Sequence, residues 1–518
     1  MRKTKGHNIG YKKERVVISD ILPYEVPPFF SNRNFYYFLI KNKIKLDESK
    51  QIIKFKKDKT KTTEKIIKIL FGIDFTKETK RENYEYDYLK LKRKNPLITI
   101  PFNFRITHKN NHYRELSIIH PKNQLQLINF YNKYNNTILY HSSLSRFSLR
   151  KPNKIASLKY FKDATNKKRK SGNQQVEIIE TSDKEYTSLK TYFSYQNYSN
   201  IFQFYESYEY QRAEKRFDNL LKFDISKCFD SIYTHTLPWA LINKKIVKDN
   251  IGNKNTFGHR FDEIMQKMNY NETNGIIIGP EFSRIFAELI LQKIDKNVEK
   301  ELYDVGYKYK EDYDIYRYVD DFFVFYNDEK VMSEISSIYN IKLQEFNFYI
   351  NESKTMPFSK PIITNITIAK EKIRTLVEYS MIFHLSDSDT KKQIGLKLNK
   401  SKDIITNYKA ILSETGTNYK DLQNYFLVII YNRLKSIINK FQKEQKKLLN
   451  KYSKKRDIQK KMSASSDYEN KDLEDEKETI NEEIKEQEKL LESFHKQILL
   501  NFTEILELTF FIYTVLPR

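Results

Sequence analysis

The sequence predicts an α+β protein whose C-terminal third is helical. Three observations carry this. Strand-type and helix-type patterns alternate over residues 217–355. From about residue 365 the apolar spacing is helical to the end. Gly (11) and Pro (12) are scarce among 518 residues, so breaks are few and helices long. The length suggests roughly two to four structural units.

The elements follow in order. Leu22-Pro23-Tyr24-Glu25-Val26-Pro27-Pro28-Phe29-Phe30 reads as an ordered extended segment, because each proline biases its predecessor away from helix. A basic helical tract is expected from about residue 60 to about residue 95. Leu97-Ile98-Thr99-Ile100 and Glu115-Leu116-Ser117-Ile118-Ile119 alternate as strands do. Asn166-Lys167-Lys168-Arg169-Lys170-Ser171-Gly172 reads as an exposed basic loop. Lys, Glu and Gln dominate residues 437–495, which suits two solvated helices broken near Met462-Ser463-Ala464-Ser465-Ser466-Asp467. Ile505–Tyr513 is apolar again and should dock on a core. The expected units are 1–215, 216–365 and 366–518.

Lys plus Arg is 92 against 67 Asp plus Glu, a net charge of +25. Such a field favours polyanions: nucleic acid, nucleotides or an anionic membrane surface. Base-composition drift toward Lys, Asn, Ile and Tyr produces the same excess, so charge alone decides nothing. Cys228 is the single cysteine, which excludes an intramolecular disulfide and fits a reducing compartment. The N-terminus is basic but has no apolar stretch behind it, and no run is long enough to span a membrane. A cytoplasmic protein without membrane partners is expected.

The candidate chemistry lies in carboxylates. In Leu221-Lys222-Phe223-Asp224-Ile225, the alternating apolar residues bury one strand face and leave Asp224 on the other. A carboxylate ending a core strand is costly unless solvated, paired or metal-bound. In Tyr316-Arg317-Tyr318-Val319-Asp320-Asp321-Phe322-Phe323-Val324-Phe325, two β-type runs flank an acidic pair. This reads as a hairpin with the pair at its turn, where Asp tolerates unusual backbone. Adjacent carboxylates repel and call for a cation, and an oxygen-only cluster suits Mg²⁺. Two such ions about 3.5–4 Å apart activate an attacking hydroxyl and stabilise a leaving phosphate. A plain Asp-Asp hairpin without metal is the alternative. Asp230 reads as a surface or capping residue.

Between these segments, Gly279-Pro280 begins a helix with Gly at the cap and Pro at the first helical position. Phe282, Ile285, Phe286, Leu289 and Ile290 form its apolar stripe. A glycine entry lets backbone approach a nucleotide closely; an ordinary capped core helix is the bland reading. Downstream, Lys354 could protonate or neutralise a departing pyrophosphate, or sit on the surface.

Tyr318-Val319-Asp320-Asp321 resembles the Tyr-x-Asp-Asp box of reverse transcriptases, and the order of the four segments resembles their palm. The resemblance implies a right-hand polymerase: an N-terminal extension and fingers over 1–215, a palm over 216–365, and a helical domain over 366–518, HEAT-like or replacing the thumb. It implies that Asp224, Asp320 and Asp321, with Ile225 beside them, hold two Mg²⁺ ions, with Mn²⁺ as a substitute. It implies that Phe229, five residues after Asp224, excludes a 2′-hydroxyl and selects dNTPs. Gly279-Pro280 matches the template- and nucleotide-positioning element, and Lys354 lies in the fourth palm motif. Lys109, Arg114 and Arg150 resemble the basic finger residues that hold the triphosphate, a task suited to the Arg fork.

Asp20–Pro27 with Ser31-Asn32-Arg33, Tyr113–Pro121 and Ser231–Ala240 resemble one branch: bacterial abortive-infection and defence-associated reverse transcriptases of the AbiA and AbiK type. This resemblance runs from about 16 to 370. It implies a role in phage defence, DNA synthesis without a template or from a short non-coding RNA, a tyrosine primer, and trimers or hexamers. With 38 tyrosines, no primer is identified. Gly279-Pro280-Glu281 departs from the Gln-Gly pair of templating relatives. The alternatives are a conventional RNA-templated enzyme like those of retrons or group II introns, and a non-catalytic nucleic-acid-binding scaffold.

Overall fold

In the computed structural model, the described residues are 7–8, 12–19, 26–27, 30–57, 61–91, 97–109, 112–156, 159–160, 191–195, 198, 201–388, 391–463 and 470–515. The expected basic loop at 166–172 and most of the Asp20–Pro27 segment lie outside them. The chain forms two compact units, Met1–Ile362 and Ile363–Arg518.

The first unit begins with β1 (His7–Asn8), α1 (Val16–Ser19) and α2 (Arg33–Lys41). Strands β2 (Lys45–Asp47), β3 (Ile52–Lys56), β4 (Lys80–Arg81) and β5 (Tyr86–Lys90) form an antiparallel sheet in the order β2-β3-β5-β4, with α3 (Thr62–Leu70) between β3 and β4. Among the described residues, the expected basic helical tract is thus helical only at α3. In β3, Ile53 and Phe55 are buried while Lys56 is exposed. Lysines on the wet face hide the two-residue period.

Strands β6 (Phe102–Lys109) and β7 (His112–Ile118) form a hairpin with Arg114 opposite Ile106. Leu97–Ile100 is not a strand. Thr99 instead donates to the Lys267 carbonyl at 2.9 Å and accepts from the Tyr270 N–H at 3.1 Å, which anchors the run away from the sheet. Helix α4 (Pro121–Ser142) starts with Pro121, and the His120 side chain accepts from the Lys122 N–H. Phe130 and Tyr131 of α4 sit in the main core. Next come β8 (Pro152–Ile155), β9 (Lys159–Tyr160), which pairs with β1, and β10 (Phe193–Tyr195), which pairs with β8.

Helices α5 (Ile201–Tyr205) and α6 (Tyr208–Arg216) lead into β11 (Asn219–Asp224). Four short helices follow: α7 (Cys228–Ser231), α8 (Thr236–Leu241), α9 (Lys244–Asp249) and α10 (Phe257–Lys267). Then come α11 (Glu281–Asp304), β12 (Tyr313–Tyr318), β13 (Asp321–Tyr326), α12 (Glu329–Gln344) and β14 (Met356–Ser359). The central sheet runs β12-β13-β11-β14 and is antiparallel throughout. It is covered on both faces. Leu221, Phe223, Ile225, Phe322 and Val324 join the core that contains α11 and α12. Leu220, Tyr316, Phe323 and Phe325 join a second cluster with Phe204, Tyr210 and Ala213 of α5 and α6. That is why Phe322–Tyr326 is apolar without alternation.

The second unit contains α13 (Asn365–Ser380), the hairpin β15 (Met381–Ser388) and β16 (Lys391–Leu398), α14 (Ser401–Glu414), α15 (Tyr419–Met462), α16 (Asn470–Leu500) and α17 (Phe502–Val515). It is mainly helical, as expected, but the hairpin interrupts the helical run. Its apolar stretches, Met381-Ile382-Phe383 and Ile394-Gly395-Leu396, are too short to reveal either period. Ile373, Tyr408, Phe426 and Leu508 form its core. Helices α15 and α16 pack antiparallel: Ile437 meets Leu490 and Phe494, and Ile458 meets Ile480 and Ile484. No described helix is long and apolar enough to cross a membrane.

Candidate active site

Strand β11 ends on Asp224, and β13 begins on Asp321 directly opposite it in register. Asp320 lies in the turn from β12, so three carboxylates meet at one end of the sheet. The unusual backbone falls on Val319, at φ +58°, and not on the acidic pair. A β-branched residue resists this conformation, so the surroundings must impose it. Two bonds do so: the Arg317 guanidinium donates to the Val319 carbonyl at 2.9 Å, and the Ile225 N–H donates to the Asp320 carbonyl at 3.3 Å.

Asp224 is buried. Its Oδ2 accepts from Lys354 Nζ, and its Oδ1 is buried without a hydrogen-bond partner among the described residues. Lys354 lies in a short 3-10 turn, Glu352–Lys354, and Asn351 donates to the Asp224 carbonyl at 2.9 Å. Hydrogen bonding to Asp224 raises the Lys354 pKa, so it stays charged. Burial, followed by repulsion from Asp224, raises the Asp320 carboxyl above the ordinary range, against the pull of Lys354 and Arg114. Asp321 is pushed up to about 6, first by burial and then by Asp320. Lys222 lies on the same side and donates to the Tyr205 hydroxyl at 2.7 Å; burial lowers its pKa and Asp321 raises it.

Among the described residues, no three acidic, His or Cys side chains are already gathered around a common point. The donor set nonetheless fits a hard divalent cation. Asp224 has an orphaned buried oxygen, and both Asp320 and Asp321 sit where their charged forms are disfavoured without an added cation.

Phe229 is on α7, partly buried against the main core. Its carbonyl accepts from the Ile276 N–H at 3.0 Å, and Gly275 donates to Ile232 at 2.8 Å, so the stretch after Asp224 is stitched to the stretch before α11. Gly279 has φ +124°, and a Cβ there would stand 3.2 Å from the Ser117 carbonyl. Ser117 itself donates to the Ile278 carbonyl at 2.8 Å. A glycine is therefore required where β7 crosses the start of α11. Pro280 proves to be the N-cap, with ψ 142°, and the helix begins one residue later than expected, at Glu281.

The basic candidates separate. Arg114, on β7, is close enough to Asp320 to oppose the rise in its pKa. Arg150 lies 3.5 Å from the buried Glu281 carboxylate and over the Tyr195 ring at 4.7 Å, so its charge is already engaged. Lys109 ends β6, and its side chain lies outside the described residues. Asp230 is exposed, as expected of a surface residue.

A further feature was not anticipated. Arg317 is fully buried in β12, and it donates to Asp295 at 2.9 Å and to Glu288 at 2.8 Å and 3.2 Å. Ser148 donates to Glu288 at 2.7 Å, Ser145 to Asp295 at 2.8 Å, and Gln292 to Glu288 at 2.7 Å. Backbone bonds Arg317 N–H to Phe147 and Leu149 N–H to Arg317, each 2.8 Å, fasten this segment to β12. The guanidinium thus ties α11 and residues 145–149 to the turn that carries Asp320. One signal for it exists in the sequence: Glu288, Gln292 and Asp295 put three polar groups along one face of an otherwise apolar helix.

Residues 147–380 match the family model described as reverse transcriptase (RNA-dependent DNA polymerase), so the chain carries a reverse-transcriptase domain over that stretch. No curated protein matches the chain. Similar solved structures include apo telomerase from Candida tropicalis truncated of its C-terminal domain, 15% identical over 51% of this chain and 51% of that one, with a TM-score of 0.29. Telomerase from Candida albicans with the TWJ fragment of telomeric RNA is 12% identical over 69% and 62%, TM-score 0.29. The corresponding Candida tropicalis complex is 13% identical over 68% and 55%, TM-score 0.31. The chain spans less than two thirds of each of these telomerase chains.

Proposed function

We propose that this chain is a DNA polymerase that adds dNTPs by metal-assisted phosphoryl transfer. The observation that carries the reading is the cross-strand pairing of Asp224 with Asp321, with Asp320 in the adjoining turn. In this reading Asp224, Asp320 and Asp321 hold divalent cations, Mg²⁺ in the first instance, beside the Ile225 backbone. When bound, the cations lower the pKa of the attacking hydroxyl and neutralise the developing phosphate charge. Lys354 stands ready to protonate or neutralise the departing pyrophosphate. Arg114 supplies positive charge near the triphosphate, with Lys109 as its neighbour on the same hairpin. Arg150 serves this role only by leaving Glu281. Gly279 and Pro280 let β7 and the start of α11 approach the nucleotide. Residues 1–215 act as extension and fingers, 216–365 as palm and 366–518 as a helical domain.

The finer reading is an antiphage-defence enzyme of the bacterial cytoplasm, a trimer or hexamer, protein-primed, and either template-independent or templated by a short non-coding RNA. Its support is the motif resemblance in Tyr113–Pro121 and Ser231–Ala240 and the Gly279-Pro280-Glu281 departure. The family description favours a second reading, conventional RNA-templated synthesis. A non-catalytic scaffold has less support, because it gives no reason to keep three mutually repelling carboxylates at one sheet end.

Purified protein incubated with dNTPs and Mg²⁺, with and without added RNA, distinguishes these. Protease-sensitive, low-complexity product is expected. Product that copies the added RNA would establish the second reading, and no product under any condition would leave the scaffold. Phe229→Ala gives a narrower check: discrimination of dNTP over rNTP, measured as the ratio of kcat/KM values, should fall by at least tenfold, about 1.4 kcal/mol. An unchanged ratio would remove Phe229 from sugar selection.

A further inference from the structure

A cleft of about 890 Å³ opens among α4, α8, α9 and α10 in the first unit, and none of Asp224, Asp320 and Asp321 lines it. Its wall combines Trp239, Tyr134 and Phe130 with four cations and three carboxylates. The charges do not cancel. Glu48 and Glu263 are both bound by Arg260, Glu263 also by Lys267, and Glu48 accepts from Gln126 and Asn129. Asp262 is buried and held by His235 Nδ1 at 2.5 Å and Gln266 at 2.6 Å. Every carboxylate of the wall is therefore already matched. Lys133, Lys248 and Lys254 also line the cleft, and none of them has a carboxylate partner among the described residues. Lys133 lies 5.0 Å from the Tyr134 ring and Lys248 5.8 Å from the Trp239 ring, so positive charge stands beside two half-buried aromatic rings that line the cleft.

We propose that this cleft is a second ligand site, which takes a nucleobase carrying phosphate, with the base against Trp239 or Tyr134 and the phosphate on Lys133, Lys248 and Lys254. Phosphate satisfies unpaired ammonium groups, and a base stacks on aromatic faces whatever its identity. The chemistry is common to a free nucleotide and to a single strand, and the two are separated by titration. The site does not depend on the polymerase reading.

Trp239 is the sole tryptophan of the chain, so intrinsic fluorescence reports this cleft directly. The intact protein, in EDTA, is titrated separately with dATP, with a twelve-nucleotide oligo(dT) and with inorganic phosphate. Saturable quenching by dATP identifies a nucleotide site, and quenching by the oligonucleotide alone identifies a strand site; either supports the proposal. The triple variant Lys133→Glu, Lys248→Glu, Lys254→Glu, all exposed residues, should keep its melting temperature and lose at least tenfold in affinity. No quenching by any probe overturns the proposal, as does equal quenching by phosphate alone or unchanged affinity in the triple variant.

Discussion

Asp320→Ala is expected to abolish nucleotide incorporation, by at least about a thousandfold or roughly 4 kcal/mol of barrier, while the fold survives. The metal-free variant should be no less stable than the parent. Folding places Asp320 and Asp321 where their ionised forms are disfavoured, so both carboxyls are raised, Asp321 to about 6 from an ordinary 3.8. A carboxyl with a higher pKa in the folded state binds more protons there. Stability from these groups is therefore greatest below pH 3.8 and declines as pH rises through about 6. Removing Asp320 takes away one of the repelling charges, so melting temperatures should diverge in the variant's favour above pH 6 and converge near pH 4. Added Mg²⁺ should reverse the order, raising the parent's melting temperature but not the variant's. Undiminished synthesis by Asp320→Ala would refute the metal assignment. A variant that is much less stable without metal would refute the electrostatic account.

The parts of this arrangement that were legible in the sequence are those written in short contiguous runs. Leu221–Ile225 and Tyr316–Phe325 each carry strand character and an acidic residue within ten positions, so their meeting at one sheet end could be expected. Propensity points to Asp320 or Asp321 as the residue that carries the turn's strained backbone. The fold puts it on Val319 because Arg317 and Ile225 fix the carbonyls of Val319 and Asp320, on either side of the Asp320 Cα. The N-terminal sheet was hidden because its solvent face is lysine, which helices also accept. The β15–β16 hairpin was hidden because its apolar runs are only three residues long. The engagement of Arg150 by Glu281 joins residues 131 positions apart, and no local pattern encodes such a pair. The Arg317 cluster is harder still: its members come from residues 145–148, 288–295 and 317, and each alone resembles an ordinary polar interruption.

That cluster sets the largest expected effect on stability. Arg317→Met should cost about 3–5 kcal/mol, read as a shift in denaturant midpoint at constant slope, because Glu288 and Asp295 would stay buried without their cation. Burial already raises the Asp295 pKa against the opposing pull of Arg317, so in the variant Asp295 should take up a proton on folding and the deficit should shrink as pH falls. Arg317→Lys tests the fork itself. One ammonium cannot reach Glu288, Asp295 and the Val319 carbonyl together, so most of the loss should remain although the charge does not change. The combination Arg317→Met, Glu288→Leu, Asp295→Leu separates two roles. Replacing a buried ion cluster by apolar side chains of similar size often restores stability. If Arg317 serves only the fold, this triple variant recovers both stability and synthesis. If it also holds the Asp320 turn, stability returns but kcat stays depressed, because nothing then donates to the Val319 carbonyl. The second outcome is expected. Val319 at φ +58° has no intrinsic reason to stay there, and a few tenths of an ångström at Asp320 are enough to misplace a group in a phosphoryl-transfer site.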